Sequence, residues 1–202
     1  RHPFFDFFLA GFGVFVEQGF GSHDLARSAD TALETAVFDK RLLERMTSGA
    51  RVNEVLQLAA DLLCVRFRQA GCSIVLLDDS CVNTVQVAQV EVPPALQEFM
   101  AGIKVGPRAV GASAAIYFNT QLVVDDIQQH QDWRPYLGLL RHSGLRACWA
   151  HPIRNRHGSV LGAIALHFSA CCYPSVEESE FLDRVARLAG IAVEQDATRS
   201  VL

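Results

Sequence analysis

The sequence predicts an α+β domain built around antiparallel strands. Three observations predict it: long helical segments lie near both ends of the chain, two pairs of short apolar segments are each joined by a tight turn, and short helices bounded by Gly or Pro separate the pairs. A length of 202 residues allows one well-buried domain plus an extension. We place an N-terminal segment and helix at residues 1–48 and the main domain, including the last helix, at residues 49–202.

The chain starts with a Phe-rich segment, residues 1–21, which contains seven Phe. A membrane span needs about 20 uninterrupted apolar residues, and Asp6 and Glu17 interrupt this segment. The shortage of Lys and Arg disfavours a membrane-surface role as well. Because burying one Phe is worth about 1.5–3 kcal/mol, the segment is expected to pack on the domain, on a second copy of the chain or on a neighbouring domain.

Two helices follow this segment. Residues 22–48 contain no Gly or Pro, and apolar side chains recur at helical spacing. Gly49 interrupts the pattern, and a second amphipathic helix runs from about Val52 towards Gly71. These two helices could also form one bent rod.

The middle of the chain alternates short strands and short helices. The segment CSIVLLDD and the segment VNTVQVAQVEV predict a hairpin, and the helix ALQEFMAG follows a Pro pair. A small-residue helix is predicted at 112–118, and QLVVDDI is predicted as a strand. Asp132 is expected to cap a helix whose apolar face includes Trp133, Tyr136 and Leu140.

The segment LRACWAHPIRNRHGSVLGAIALHF, residues 145–168, predicts a second hairpin with its turn at Arg154 to Gly158. Ser175 and Glu178 are spaced as a capping box for the last helix. The apolar face of that helix is wider than packing on one sheet requires, which suggests a partner helix.

The composition of the chain disfavours some classes of binding partner and indicates a cellular compartment. A formal net charge of -4 with scattered Lys and Arg disfavours a nucleic-acid partner. The six Cys lie mostly inside apolar runs, without the spacing of a secreted disulfide scaffold or of a zinc site, and indicate a reduced, cytoplasmic protein. The neighbours Cys171 and Cys172 are interpreted as ordinary thiols, because a bridge between adjacent residues is strained.

Two stretches resemble a known family. KVGPRAVGASAAIYFNTQLVVDDIQQHQDW and YLGLLRHSGLRACWAHPIRNRHGSVLGAIALHF are similar to the middle and end of GAF domains in bacterial signalling proteins, and the resemblance covers about residues 49–195. It implies a central antiparallel sheet of about six strands, with the terminal helices on one face and a small-molecule pocket under short helices and loops on the other. Such domains often precede diguanylate cyclase, phosphodiesterase or histidine kinase domains, which suggests cyclic-di-GMP signalling.

The sequence also departs from two branches of the family. Pro135 and Tyr136 stand where phytochrome-type domains have a Cys-His pair, which disfavours a bilin. Gly111 to Ala114 lacks the loop Cys of GAF-type methionine sulfoxide reductases. No output-enzyme motif is present, so we expect a regulatory domain that is not itself an enzyme, with a covalently linked output domain and no identifiable cofactor or metal.

The candidate ligand-binding residues are aromatic or titratable. Strand alternation places Trp149 and His151 on one face of their strand, where they either line the pocket or fill the core. His142 and His167 are weaker candidates, and Asp125 and Asp126 are interpreted as strand-end and turn residues. The full candidate set is Tyr117, Trp133, Tyr136, Leu140, Trp149 and His151.

Three functional hypotheses follow. The first is a cytoplasmic sensor that forms a homodimer through its terminal helices and signals to an output domain. The second is a ligand-free dimerisation or spacer module whose pocket has collapsed around Trp149, Tyr136 and Leu140. The third is a small redox enzyme, which would need Cys72, Cys81 or Cys148 exposed in the pocket.

Overall fold

A computed structural model describes residues 22–199, with side chains from residue 32 onward, so the Phe-rich segment and the prediction made for it lie outside the described residues. The α-helices are α1 (Ser22–Thr47), α2 (Val52–Arg66), α3 (Pro94–Ala101), α4 (Gly111–Phe118) and α5 (Val176–Arg199). The strands are β1 (Ala70–Leu77), β2 (Thr84–Val90), β3 (Leu122–Val124), β4 (Ala147–Arg154) and β5 (Val160–Phe168). The predicted order of helices and strands is confirmed.

One predicted helix differs in type and start. The segment expected to form an α-helix capped by Asp132 is a 3-10 helix, Gln131–Tyr136, whose N-cap is His130. Pro135 lies inside it. Proline lacks the N–H of an α-helical hydrogen bond and disfavours the α conformation of the residue before it, so the tighter and shorter helix forms instead.

The strands form one antiparallel sheet in the order β2-β1-β5-β4-β3. Both predicted hairpins are present, and their strands lie in a single layer. Among the described residues the sheet has five strands where about six were expected, and its edge strand β3 has only three residues. In this register Cys148 lies directly opposite His167, and both side chains therefore share one face of the sheet.

The terminal helices cover the other face. Helices α2 and α5 pack there, and the Phe38 ring of α1 meets the Phe181 ring of α5 with centroids 5.0 Å apart. The apolar face of α5 is therefore covered within the chain by α2 and by the end of α1. The partner helix that its width suggests is present in the same molecule.

The compact unit that contains the sheet begins at Phe38, within α1. The division of the chain between residues 48 and 49 stays a prediction. Phe38, Leu42 and Met46 are buried in the core that also contains α2 and α5. At about 1.5–3 kcal/mol for each buried side chain, this last part of α1 contributes to the stability of the domain.

The start of α5 matches its sequence pattern closely. The Glu178 backbone N–H donates to Ser175 Oγ at 3.1 Å, and the Ser175 backbone N–H donates to a carboxylate oxygen of Glu178 at 2.8 Å. This confirms the predicted capping box.

Among the described residues, none of the helices combines the length and the apolar character that crossing a bilayer requires.

Candidate functional site

Two adjoining cavities lie between the sheet and the layer formed by α3, α4 and the 3-10 helix. The first, which we call the inner cavity, has a volume of about 20 Å³ and lies under α3. The second, the edge cavity, has a volume of about 140 Å³ and lies between α4 and strands β3 and β4. Four residues line both cavities and therefore separate them: Val110, Gly111, Trp133 and Cys148.

A chain of buried polar groups on the sheet lies beside the inner cavity, and Met100, Cys148 and His167 of this chain line the cavity. Ser73 Oγ lies 2.8 Å from His167 Nε2, and His167 Nδ1 lies 4.0 Å from Cys148 Sγ. The Ser73 hydroxyl donates to Met100 Sδ, 3.9 Å away. We assign Nε2 of His167 as the protonated nitrogen, because each group then donates to the next: Cys148 to His167, His167 to Ser73, and Ser73 to Met100.

Burial keeps this chain of groups uncharged. It lowers the pKa of His167 to about 4 and raises the pKa of the Cys148 thiol to about 12. At neutral pH the site therefore contains a neutral imidazole and a protonated thiol, not a thiolate-imidazolium pair. Because the thiolate is the nucleophilic form of cysteine, this arrangement disfavours nucleophilic chemistry at Cys148.

The edge cavity exists because α4 is built from small residues. Gly111 has φ +58°, a conformation that glycine adopts without strain, and a Cβ added there would lie 3.7 Å from Cys148 Sγ and 3.8 Å from the Trp133 ring. Ala114 and Ala150 also line the cavity. Small side chains on both the helix and the strand therefore leave space between them.

The polar groups of the edge cavity belong to the segment before Trp133. His130 Nδ1 is buried and has no hydrogen-bond partner, and the nearest carboxylate oxygen, on Asp132, is 3.9 Å away, outside hydrogen-bond range. Apart from His130 and Asp132, the residues that line this cavity are apolar residues, Gly and Cys148, with no Lys or Arg among them.

Of the two alternatives for β4, the structure has the one in which Trp149 and His151 face the core and not the pocket. Trp149 and His151 lie on the face covered by the terminal helices, while Cys148 and Ala150 line the cavities. The Trp149 ring packs on Phe67 of α2 with centroids 5.9 Å apart. Both faces of this central strand are apolar, so side-chain alternation alone does not determine which face meets the pocket.

The other predicted residues are dispersed, and Trp133 is the one member of the candidate set that lines both cavities. Tyr117 is exposed and forms an edge-to-face pair with Phe118. Tyr136 packs edge-to-face on Phe99 and donates to the Arg108 carbonyl at 3.4 Å. Leu140 is buried beside a separate open groove of about 510 Å³.

Strand β4 connects the cavities to α5. The imidazole of His151 is buried, and its Nδ1 lies 3.1 Å from a carboxylate oxygen of Asp183. Burial lowers the pKa of His151 even though Asp183 opposes this effect, so the neutral imidazole donates its Nδ1 hydrogen to the carboxylate. Further along α5, a Cβ added at Gly190 would lie 2.0 Å from the Arg154 carbonyl oxygen, which shows how closely the helix approaches the strand.

Residues outside the cavities agree with the simpler expectations. Asp126 follows β3 and accepts a hydrogen bond from the Gln128 backbone N–H. Its carboxylate also forms an ion pair with Arg146. The Arg146 guanidinium donates in addition to Cys171 Sγ at 3.0 Å. The Gln128 hydrogen bond is the main reason that the pKa of Asp126 is lowered. His142 is exposed. Within the described part of the chain, His, Cys, Asp and Glu form no cluster of three or more that could hold a metal ion.

The GAF domain model matches residues 51–193, the same stretch that forms the sheet, both cavities and most of α5. The chain belongs to the GAF domain family. This GAF domain is 31% identical over 163 residues to a methyl sulfide methyltransferase-associated sensor of Methanosarcina acetivorans. The match covers 81% of this chain and 16% of that protein, so the chain spans a small part of the curated relative it matches.

Solved structures agree on the fold. The GAF domain of a phosphoenolpyruvate-protein phosphotransferase from Coxiella burnetii superposes with a TM-score of 0.67 at 14% identity, covering 85% of this chain and 99% of that one. A type II free methionine-R-sulfoxide reductase from Thermoplasma acidophilum superposes with a TM-score of 0.56 at 17% identity, covering 71% and 93%. At these identities the likeness shows a shared fold alone.

Proposed function

We propose that this GAF domain is the regulatory domain of a cytoplasmic signalling protein, in which a small molecule bound between the sheet and α4 changes the packing of the terminal helices. The observation that carries the proposal is the position of β4. Its Cys148 and Ala150 line the cavities, and the neighbouring His151 contacts Asp183 of α5. A ligand against one face of the strand is therefore one residue from a contact with α5. The description of the Methanosarcina acetivorans relative as a sensor agrees with this function.

The proposed signal leaves through the helices of a homodimer to a covalently linked output domain in the full-length protein. A diguanylate cyclase, phosphodiesterase or histidine kinase domain fits this role, and the first two would place the protein in cyclic-di-GMP signalling. Support comes from apolar side chains that the helices expose, among them Leu43 of α1 and Ile191 of α5. To shift the ratio of two conformational states from 1:99 to 99:1, the ligand must bind one state more favourably than the other by about 5.5 kcal/mol.

Light scattering of the purified chain tests the dimer. We expect a dimer at tens of micromolar protein and expect Ile191→Glu to weaken it, because a charge would then be buried between the helices. Val82→Glu, at an exposed apolar residue next to the β1–β2 turn, is the matched control and leaves association unchanged. A monomer at these concentrations, or equal association of the two variants, contradicts dimerisation through the helices.

A specific observation favours a second candidate function, that of a ligand-free spacer. The inner cavity, at about 20 Å³, has room for about one water molecule. Leu96, Phe99 and Met100 of α3 occupy the space above the sheet. A spacer would show no thermal shift with nucleotides, amino acids, anions or small neutral molecules, and no bound molecule in its native mass spectrum. A shift with any of these ligands contradicts the spacer.

We propose that the chain itself is not an enzyme of the sulfoxide-reductase type. The support is the raised pKa of the Cys148 thiol, which burial holds at about 12. The test is turnover of free methionine sulfoxide with a thiol reductant, before and after alkylation under native conditions. Turnover that alkylation abolishes would contradict this part of the proposal.

A further inference from the structure

The size of the edge cavity limits what it can hold. Its volume is about 140 Å³. A closed apolar cavity of about 150 Å³ in a protein core holds one benzene molecule, whereas sites for drug-sized ligands measure about 300–1,000 Å³. A single six-membered ring therefore fits the edge cavity, and a nucleotide or a tetrapyrrole does not.

The lining selects the charge of the ligand. Leu122, Val124 and Ala150 contribute apolar surface, and the lining contains no Lys or Arg to pair with an anion. Asp132, the one carboxylate of the lining, is exposed and lies at the same end of the cavity as His130. Burying an unpaired charge in such a site is costly, so a neutral molecule is favoured over a carboxylate or a phosphate.

Two further features select an aromatic ring with one polar group. Trp133 and Phe118 both line the edge cavity, and aromatic rings pack edge-to-face or offset with about 0.5–1.5 kcal/mol beyond the area they bury. Nδ1 of His130 has no hydrogen-bond partner in the protein and is closed to solvent, whereas the side chain as a whole is partly exposed. A turn of the ring toward the cavity would bring Nδ1 to a ligand hydroxyl or similar group, which would supply that missing partner.

We propose that the edge cavity binds a neutral, single-ring aromatic molecule with one hydrogen-bonding substituent, of which phenol is the simplest. This inference rests on the proposed sensor function, because it names the chemical class of the ligand that the sensor detects. The ring lies between α4 and strands β3 and β4, and its substituent bonds His130.

Titration calorimetry of the full chain with phenol and with benzene tests the proposal. We expect phenol to bind more tightly than benzene by about 2- to 10-fold, the effect of one neutral hydrogen bond. His130→Phe removes this preference and leaves benzene binding in place. Ala114→Leu, which fills the cavity from α4, abolishes binding of both, whereas the control Ala101→Leu, at an exposed position of α3, leaves both unchanged.

The proposal is overturned if phenol fails to bind at millimolar concentration, or if it binds equally well to the Ala114→Leu variant. Hydrogen exchange of α5 with and without saturating phenol separates the two proposals. If phenol binds but leaves exchange in α5 unchanged, the ligand class stands and the sensor function fails. If a different molecule changes exchange in α5 while phenol does not bind, the sensor function stands and the ligand class fails.

Discussion

The buried His167 predicts a specific loss of stability in acid. Its pKa is lowered from 6.5 to about 4 by burial. As pH falls between these values, the unfolded chain binds a proton that the folded chain does not, so the free energy of unfolding decreases by about 1.4 kcal/mol per pH unit. The total loss from this residue is about 3 kcal/mol. Above pH 6.5 both states are neutral and His167 adds no pH dependence.

Urea denaturation at several pH values between 7 and 4 measures the effect in the wild-type chain and in His167→Gln. The variant lacks the titrating group, and its amide can still bond Ser73. We expect the variant to be less stable at pH 7 and the difference in unfolding free energy to narrow by about 3 kcal/mol as pH reaches 4. Because His151 is unchanged in both proteins, its own titration cancels. A constant difference across this range, or an NMR titration of His167 near pH 6.5, would refute the assignment.

Two other substitutions test the attachment and the start of α5. Gly190→Ala should destabilise the domain by about 1–3 kcal/mol in chemical denaturation, because the new Cβ meets the Arg154 carbonyl oxygen and neither backbone can yield. The control Gly102→Ala, where the nearest atom is 3.5 Å away, should change stability little, and equal effects of the two would contradict the close packing. Ser175→Ala should lower the free energy of unfolding by about 1 kcal/mol in the same assay, because it removes the side-chain oxygen to which the Glu178 backbone N–H donates. An unchanged denaturation midpoint would contradict this role of the capping box.

Much of the fold could be predicted from the sequence because local signals agreed with the tertiary structure. The capping box at Ser175 and the turn of the second hairpin are local features, and both are present, the turn at residues 155–159, one residue later than predicted. The 3-10 helix was missed because apolar spacing suggested an α-helix, whereas Pro135 determined the backbone. Within residues 22–199 the sheet has five strands where about six were expected, since pairing at an edge is decided by tertiary contacts.

The site could be predicted less well, for two physical reasons. Strand β4 is apolar on both faces, so nothing in its pattern separates the pocket face from the helix face. A register irregularity also lies between Ile153 and Arg154, next to the turn. If the residues of β4 and β5 are paired by counting outward from the turn and this irregularity is ignored, Cys148 falls opposite Leu166 instead of His167. An error of one residue in the register assigns a side chain to the wrong face of the sheet.

Ser73, Cys148 and His167 come from three different strands, and their proximity follows from a register that the sequence pattern does not specify. The sequence gives only weak indications of these residues, such as a single polar residue inside an otherwise apolar strand. A Ser within CSIVLL and a His within GAIALHF are such exceptions, and each marks the face of the sheet that lines the inner cavity.

Hydrogen exchange of the backbone amides, with and without saturating phenol, tests most directly whether β4 connects the cavity to α5. We expect protection to change in α4 and β4, and also in α5 between Asp183 and Gly190, which is on the opposite face of the sheet from the ligand. A change confined to α4, β3 and the 3-10 helix, with α5 unaffected while phenol is bound, would contradict the account.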